Sequence, residues 1–405
     1  MAVEVLVPSG WRGDLNGFLR DARRQTTAPF APQRLALLDG LAQLILRHPV
    51  LRRDPAGAAL GFWLRRAHLT ELNNGFFASM PGSGRRVPAG LVLHITPANV
   101  DTMFVLSWAL SFLAGNANIV RLTTRASPLM KELLDCLNAA FAVTQETSAS
   151  NLFVTYEHDD AITTWLSLAC DTRLIWGGDE TVKRIRAVPM NPNAAERAFA
   201  SKRSLSVFAG PAYAKLDTSD RDQLAFRMTA DLAPFGQMAC SSPHVLYWVG
   251  TPAEVAEVRE DFVVRLEAAM AARAPEADLG AATRRINFAF TAAAEGRADA
   301  IRHQAWTTAV FVTNSTVAES ADACGAGLLA HAIVASIDEL GAVLRPDHQT
   351  ITYFGLDTDQ RERLAILAGR AGADRLVPVG RALDFGPQWD GYDLWADLTR
   401  IVVVQ

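Results

Sequence analysis

Gly90-LVLHITPANVDTMFVLSWALSFLAGNANIVR-Leu122 contains a short apolar run, a long one and a second short one. Leu91 to Ile95 is β-rich and bounded by Gly90 and Thr96-Pro97, which predicts a buried strand. Val100 to Leu113 is continuously apolar and long enough for a helix, and Gly115-Asn116 closes it. Ala117 to Leu122 predicts the next strand. A strand, a helix and a strand at this spacing need a crossover, so the two strands lie parallel in one sheet.

The same rhythm continues downstream. Ser127 is placed to cap a helix opened by Pro128. Leu152–Tyr156 predicts a third strand, Ala161–Ala169 a helix and Thr172–Trp176 a fourth strand. A second α/β stretch follows: strand Leu205–Ala209, helix Arg221–Asp231, strand Val245–Val249 and helix Pro252–Arg273. Ala274–Ala300 is mixed. Thr308–Thr313 and His331–Ala335 read as strands, Asp359–Gly372 as a helix, and Thr399–Val404 as a last strand. Upstream, Gln33–Arg47 places Leu35, Leu38, Leu41, Leu44 and Ile45 on one helical face before Pro49, and Leu60–Thr70 predicts a second helical segment. Pro81 to Gly84 is a turn-rich break. The class is α/β with parallel sheets and no internal repeat.

Composition narrows the function classes. The chain has 405 residues, half of them hydrophobic and 20% charged, enough for two or three buried cores. Thirty-nine basic and 43 acidic residues give a net charge of −4, so no nucleic-acid or anionic-membrane footprint is expected. No membrane span and no secretory signal is expected, and the cytoplasm is the expected compartment. Four cysteines without a C-x-x-C pair, and eight histidines without an H-x-x-x-H pair, give no reason to expect a disulfide framework or a metal site.

Three segments carry candidate chemistry. Cys240 lies in Phe235-GQMACSS-Pro243 between a predicted helix and a predicted strand. Its small neighbours let a substrate approach, and nearby backbone N–H groups can hold an oxyanion. Read alone, such a cysteine is most often a small core residue. Asn99, in the Thr96-Pro97-Ala98-Asn99 loop after a parallel strand, can donate its side-chain N–H to an oxyanion or simply serve the turn. Gly177-Gly178 after the fourth strand lets a phosphate come close, or is a plain turn. His244, near Cys240, is a local base or an ordinary strand histidine. No G-x-G-x-x-G or Walker motif occurs.

In order, these pieces resemble the aldehyde dehydrogenase superfamily. The carriers are Gly90-LVLHITPAN-Val100, Ala114-GNANIVR-Leu122, Leu174-IWGGDETV-Lys183 and Phe235-GQMACSSP-His244. The tail Gln388-WDGYDLWADLTR-Ile401, with "WGGDE", "SKRS" and "ACSSP", is similar to the LuxC-type acyl-CoA reductases of fatty-aldehyde synthesis. The resemblance implies an aldehyde dehydrogenase-like fold, with a Rossmann-type cofactor-binding domain and an α/β catalytic domain. It implies Cys240 as nucleophile, Asn99 with the Cys240 N–H as oxyanion donors, and a cofactor held by Thr96, Pro97, Arg121, Gly177 and Gly178, with Glu319 on the nicotinamide ribose. Arg121 stands where many relatives carry a lysine against the adenosine ribose, which suggests NADPH, with NADH as the alternative.

One departure from the superfamily bears on the reaction. Hydrolytic members carry a glutamate in E-L-G-G that activates water. Here the stretch is Arg197-AFAS-Lys202, with Ala198 at that position and Glu196 two residues away. The expected activity is therefore NADPH-dependent reduction of an acyl thioester, on coenzyme A or a carrier protein, to an aldehyde through an acyl-cysteine. The alternatives are an acyl-phosphate or semialdehyde reductase of the same fold and a catalytically silent binding protein. The expected domains are 1–209 for the N-terminal helices and NAD(P), 210–380 for catalysis, and 381–405 as a tail and strand for oligomerisation. The expected partners are a homo-oligomeric copy and an acyltransferase or synthetase.

Overall fold

The computed structural model describes residues 3–79, 84–143, 149–273, 278–313 and 324–403. The chain divides into two compact units, Met1–Ser201 with Tyr392–Gln405, and Lys202–Gly391.

The first unit is built on a six-stranded sheet. Its order is Glu4–Val7, Asn151–Thr155, Ala117–Leu122, Leu91–Ile95, Thr172–Trp176 and Ala195–Phe199. All neighbours are parallel except the first pair. The chain starts the parallel set at Leu91–Ile95, builds outward to Asn151–Thr155, and then returns to the other side with Thr172–Trp176. The strand order therefore reverses between Leu91–Ile95 and Thr172–Trp176. That reversal opens a crevice at the carboxyl ends of the two strands, where ligands bind in sheets of this kind.

Local chemistry explains the elements around this point. All residues of the helix Met103–Leu113 are buried, as its largely apolar sequence, interrupted by Ser107 and Ser111, requires. It begins later than Val100 because a turn precedes it, with the Met103 N–H donating to the Val100 carbonyl at 3.0 Å. Gly115 has φ +93°, and a Cβ there would stand 2.2 Å from the Thr27 carbonyl oxygen, so only glycine fits. Buried Asn116 then accepts from the Gly90 N–H at 3.0 Å and donates to the Leu398 carbonyl at 2.9 Å.

One sequence expectation for this unit changes. Leu60–Thr70 is not one helix but parts of two, Pro55–Trp63 and Arg66–Ala78. Leu64 closes the first and Arg65 is extended at ψ 149°, which breaks the ladder. The last strand, Thr399–Val403, joins neither large sheet; it pairs antiparallel with Gly84–Pro88 in a two-stranded ribbon.

The second unit holds a seven-stranded sheet. Its order is Ala300–His303, Thr308–Val312, Leu328–Val334, Pro243–Val249, Arg203–Ala209, His348–Phe354 and Arg375–Pro378. Only the Ala300–His303 edge is antiparallel. Leu205, Val207, Tyr247, Val310, Ala332 and Ile351 fill one core, and Phe208, Trp248, Phe262 and Leu224 another. The first unit stops at Ser201 rather than at 209 because Arg203–Ala209 is a central strand of this second sheet.

Candidate active site

Within the first unit, six expected residues sit at the carboxyl edge of three adjacent strands. Thr96 is buried and ties two of them together: its N–H and its Oγ1 both donate to the Arg121 carbonyl, at 3.2 and 2.9 Å. Pro97 is half-buried and Asn99 is exposed, both in the loop beyond Ile95. Gly177 donates its N–H to the Phe199 carbonyl at 3.1 Å, and exposed Gly178 stands at the N-cap of the helix Asp179–Arg186. A Cβ on Gly177 would press on the Thr181 side chain at 3.1 Å.

Arg121 lies over the Tyr156 ring at 5.1 Å and donates to the Tyr156 carbonyl at 3.3 Å. Burial lowers its pKa, the nearby Tyr156 and Glu157 oppose this, and the Arg184 charge adds to the lowering. Arg184, on the helix after Gly178, bonds the Nδ1 of His158 at 3.1 Å. Sequence reading missed Arg184, whose approach to Arg121 depends on the helix returning over the sheet edge. The like charges of Arg121 and Arg184 disfavour one another, which an anion would relieve, and the pair suits the phosphates of a nucleotide. The first helical turn fits less well, because Asp179 and Glu180 carry negative charge there. Glu319 lies outside the described residues.

Ala198, where a hydrolytic relative has its glutamate, is on the edge strand Ala195–Phe199. Glu196 on the same strand is committed elsewhere. It accepts from the buried Arg173 guanidinium, with Nε at 2.8 Å, and from Arg186 Nε at 3.3 Å.

In the second unit, Cys240 precedes the strand Pro243–Val249 and so sits at the amino edge of its sheet. The loop reaches it through three consecutive left-handed residues, Phe235, Gly236 and Gln237, with φ of 54°, 59° and 65°. The fully buried Gln237 side chain holds that conformation. Its Nε2 donates to the Pro243 and Leu328 carbonyls at 2.7 and 2.8 Å, and its Oε1 accepts from the Gly327 N–H at 2.8 Å. Ser204 Oγ donates to the Cys240 carbonyl at 2.8 Å. The glutamine of G-Q-x-x-C thus fixes the Cys240 loop against its neighbouring strands.

Cys240 keeps some surface, but its sulfur lies in dry surroundings. Desolvation pushes the thiol up to about 11, the Asp390 charge adds to this, and hydrogen bonds from Gln349 and from the N–H groups of Cys240 and Ser241 oppose it. Gln349 Nε2 stands 3.3 Å from Sγ. Among the described residues no side chain donates to the other thiols in this way. Cys136 and Cys170 are buried, with burial raising them to about 11 and about 12, and burial also raises Cys324. What distinguishes Cys240 is its donor set, which favours the thiolate once a substrate supplies a place for the proton.

Sequence reading missed Gln349 and Asp390 as site residues. Gln349 is fully buried on the strand His348–Phe354, which was not expected because His348, Gln349 and Thr350 interrupt its apolar pattern. Asp390 belongs to the Gln388–Ile401 tail motif, which signalled the family without signalling a role. Among the described residues no cluster of His, Cys, Asp and Glu has the form of a metal site, and no helix is long and apolar enough to cross a membrane.

Comparison with known proteins gives the fold and the family. Long-chain acyl-protein thioester reductase of Aliivibrio fischeri is 26% identical over 168 residues, 40% of this chain and 33% of that protein. The match therefore spans about a third of the relative's length. An oxidoreductase structure from Marinobacter aquaeolei superposes with TM-score 0.69 at 10% identity, covering 96% of this chain and 90% of the other. Indole-3-acetaldehyde dehydrogenase bound to NAD+ gives 0.65 at 14% identity, covering 96% and 86%. At these identities the likeness is one of fold, and the fold is that of aldehyde dehydrogenases. The model for the acyl-CoA reductase (LuxC) family matches residues 71–401, and this chain belongs to that family.

Proposed function

We propose that the protein reduces an acyl thioester to an aldehyde through an acyl-cysteine on Cys240. The observation that carries this reading is the Cys240 sulfur itself, with a side-chain N–H and two backbone N–H groups directed at it. The Cys240 sulfur attacks the thioester carbonyl, the carrier thiol leaves with the proton, and the acyl group stays on sulfur. Family membership and the Aliivibrio fischeri relative, named for an acyl-protein thioester, support coenzyme A or a carrier protein as the donor.

A nicotinamide cofactor, when bound, would supply the hydride that reduces the acyl group. Thr96, Pro97, Gly177 and Gly178 would hold it, and Arg121 with Arg184 would take the adenosine phosphates. The paired guanidiniums favour NADPH over NADH. Asn99 keeps the oxyanion role implied by its P-x-N loop. Glu319 keeps its proposed ribose role through the resemblance alone.

The protein's own residues also set what does not happen. Ala198 offers no base, and Glu196 is tied to Arg173 and Arg186. Neither residue of this strand therefore serves water attack on the acyl-cysteine as a general base, and the acyl group waits for hydride or a thiol. Exposed Ile401, Val402 and Val403 on the terminal ribbon support subunit association through that strand. The experiment is turnover of a panel of acyl thioesters and acyl phosphates with NADPH. Aldehyde from thioesters is expected; turnover of acyl phosphates alone would move the protein to the alternative reductase class.

A further inference from the structure

The turn Trp389-Asp390-Gly391 puts a carboxylate beside Gln349, a side-chain donor to Cys240. Asp390 is buried at 8% exposure in a left-handed conformation, φ +50°. Gly391 follows at φ +75°, where a Cβ would stand 2.8 Å from Asp374 Oδ1. Buried Trp389 packs under the Arg375 guanidinium at 4.4 Å. The turn is thus fixed on both sides of Asp390. Its Oδ1 accepts from Gln349 Nε2 at 2.5 Å, and the same nitrogen stands 3.3 Å from Cys240 Sγ.

A glutamine amide can face a neighbour with its oxygen or with its NH2 group. An ionised carboxylate only accepts, so it admits only the NH2 edge. The Gln349 oxygen has a weak alternative tie, a Thr350 hydroxyl at 3.5 Å. Without the carboxylate, rotation of the amide would sacrifice little and could set an oxygen lone pair against sulfur. We propose that Asp390 is a positioning residue: its carboxylate locks the Gln349 amide so that the second N–H of Nε2 points at Cys240 Sγ and stabilises the thiolate. The use of that thiolate as acyl acceptor rests on the function proposed above; the lock does not.

Asp390 has two opposed effects on the sulfur. Its charge disfavours the thiolate directly, while its hold on Gln349 favours it. Lys202, Asp374 and Arg375 also act on Asp390 and stay unchanged in the comparison below. A double-mutant cycle separates the two effects. The readout is the rate of Cys240 alkylation by iodoacetamide in the full chain across pH, followed by peptide mass, with no acyl substrate present.

A hydrogen bond to a charged group is lost in Gln349→Leu, and alkylation at fixed pH should fall about tenfold or more. In that background Asp390→Ala removes only a negative charge, so alkylation should speed up. In the native background Asp390→Ala also frees the amide, so the gain should shrink or reverse. The effect of Asp390→Ala should differ between backgrounds by about tenfold. Cys324 alkylation in the same samples reports general loosening and should not change. If Asp390→Ala does not fold, Asp390→Asn lets the amide take either orientation and should couple with the same sign. An additive cycle with the folded variant would overturn the lock. Acylation of native Cys240 by a thioester is a separate result, so failure of the lock and failure of the proposed function are distinguishable.

Discussion

The two sheets use opposite edges. In the first unit the candidate residues gather beyond the carboxyl ends of parallel strands, at the reversal between Leu91–Ile95 and Thr172–Trp176. In the second, Cys240, Ser204 and Gln349 cluster at the amino ends, where Ser204 pairs with Pro243 and His348 with Arg203. The carboxyl edge offers loops of variable length, which suit a large ligand bound by glycines and guanidiniums. The amino edge offers backbone N–H groups, which suit a small concentrated negative charge such as a thiolate. Their carboxylates differ in the same sense. Glu196 is held by two arginines at an exposed edge strand, whereas Asp390 is buried against a neutral amide, and burial pushes it up to about 6.

The largest effect expected from this division is at the amino edge. Cys240→Ala should lower aldehyde formation from a thioester by about a thousandfold or more while cofactor binding persists. Cys136→Ala and Cys324→Ala should keep most activity. Full turnover by Cys240→Ala would remove the nucleophile from that edge.

The missing base comes next. With an aldehyde and oxidised cofactor, product should form quickly only when coenzyme A or another thiol is added, because general-base help worth about 10²–10⁴-fold is absent. Glu196→Gln should leave the slow thiol-independent rate unchanged. A rapid thiol-independent rate that Glu196→Gln abolishes would give the first unit the base denied to it here.

At the carboxyl edge the expected effect is smaller and selective. Arg121→Ala should raise KM for NADPH about tenfold and for NADH much less, the loss of one charge-assisted contact. Arg184→Ala should act in the same direction. Equal effects on both cofactors would show that neither guanidinium reads a 2′-phosphate.

The last prediction concerns stability and pH. Asp390 titrates higher when folded than the ordinary carboxyl value of 3.8, so it binds its proton more tightly in the native state. Its contribution is fully present below about pH 4 and is lost as pH rises through about 6, an effect of at most about 3 kcal/mol. Asp390→Asn should flatten that part of the stability–pH curve, read from denaturant melts at pH 4 and pH 7. An unchanged slope would mean that Asp390 is not buried as described.

The fold was legible where local signals agreed. Leu91–Ile95, Ala117–Leu122 and Thr172–Trp176 are apolar runs with clear punctuation, and the structure has them as strands with those bounds. Ala195–Phe199 escaped because an edge strand carries Glu196 and Arg197, whose charges are paired rather than exposed. His348–Phe354 escaped because its buried polar residues serve the site. The candidate site was legible only in its loops: Cys240 and Gly177-Gly178 stand in marked contexts, whereas Gln349 and Asp390 reach Cys240 by long-range pairing that no local spacing encodes. Arg184 illustrates the same limit at the other edge.

The central claim is that Cys240 carries the acyl group. Native protein mixed with a long-chain acyl-CoA and no NADPH, then digested and weighed peptide by peptide, tests it most directly. The account predicts one acyl mass on the Cys240 peptide, stable over the time of the digest and released as aldehyde when NADPH is added first. An acyl group on another residue, or no adduct while aldehyde still forms with NADPH, would contradict it.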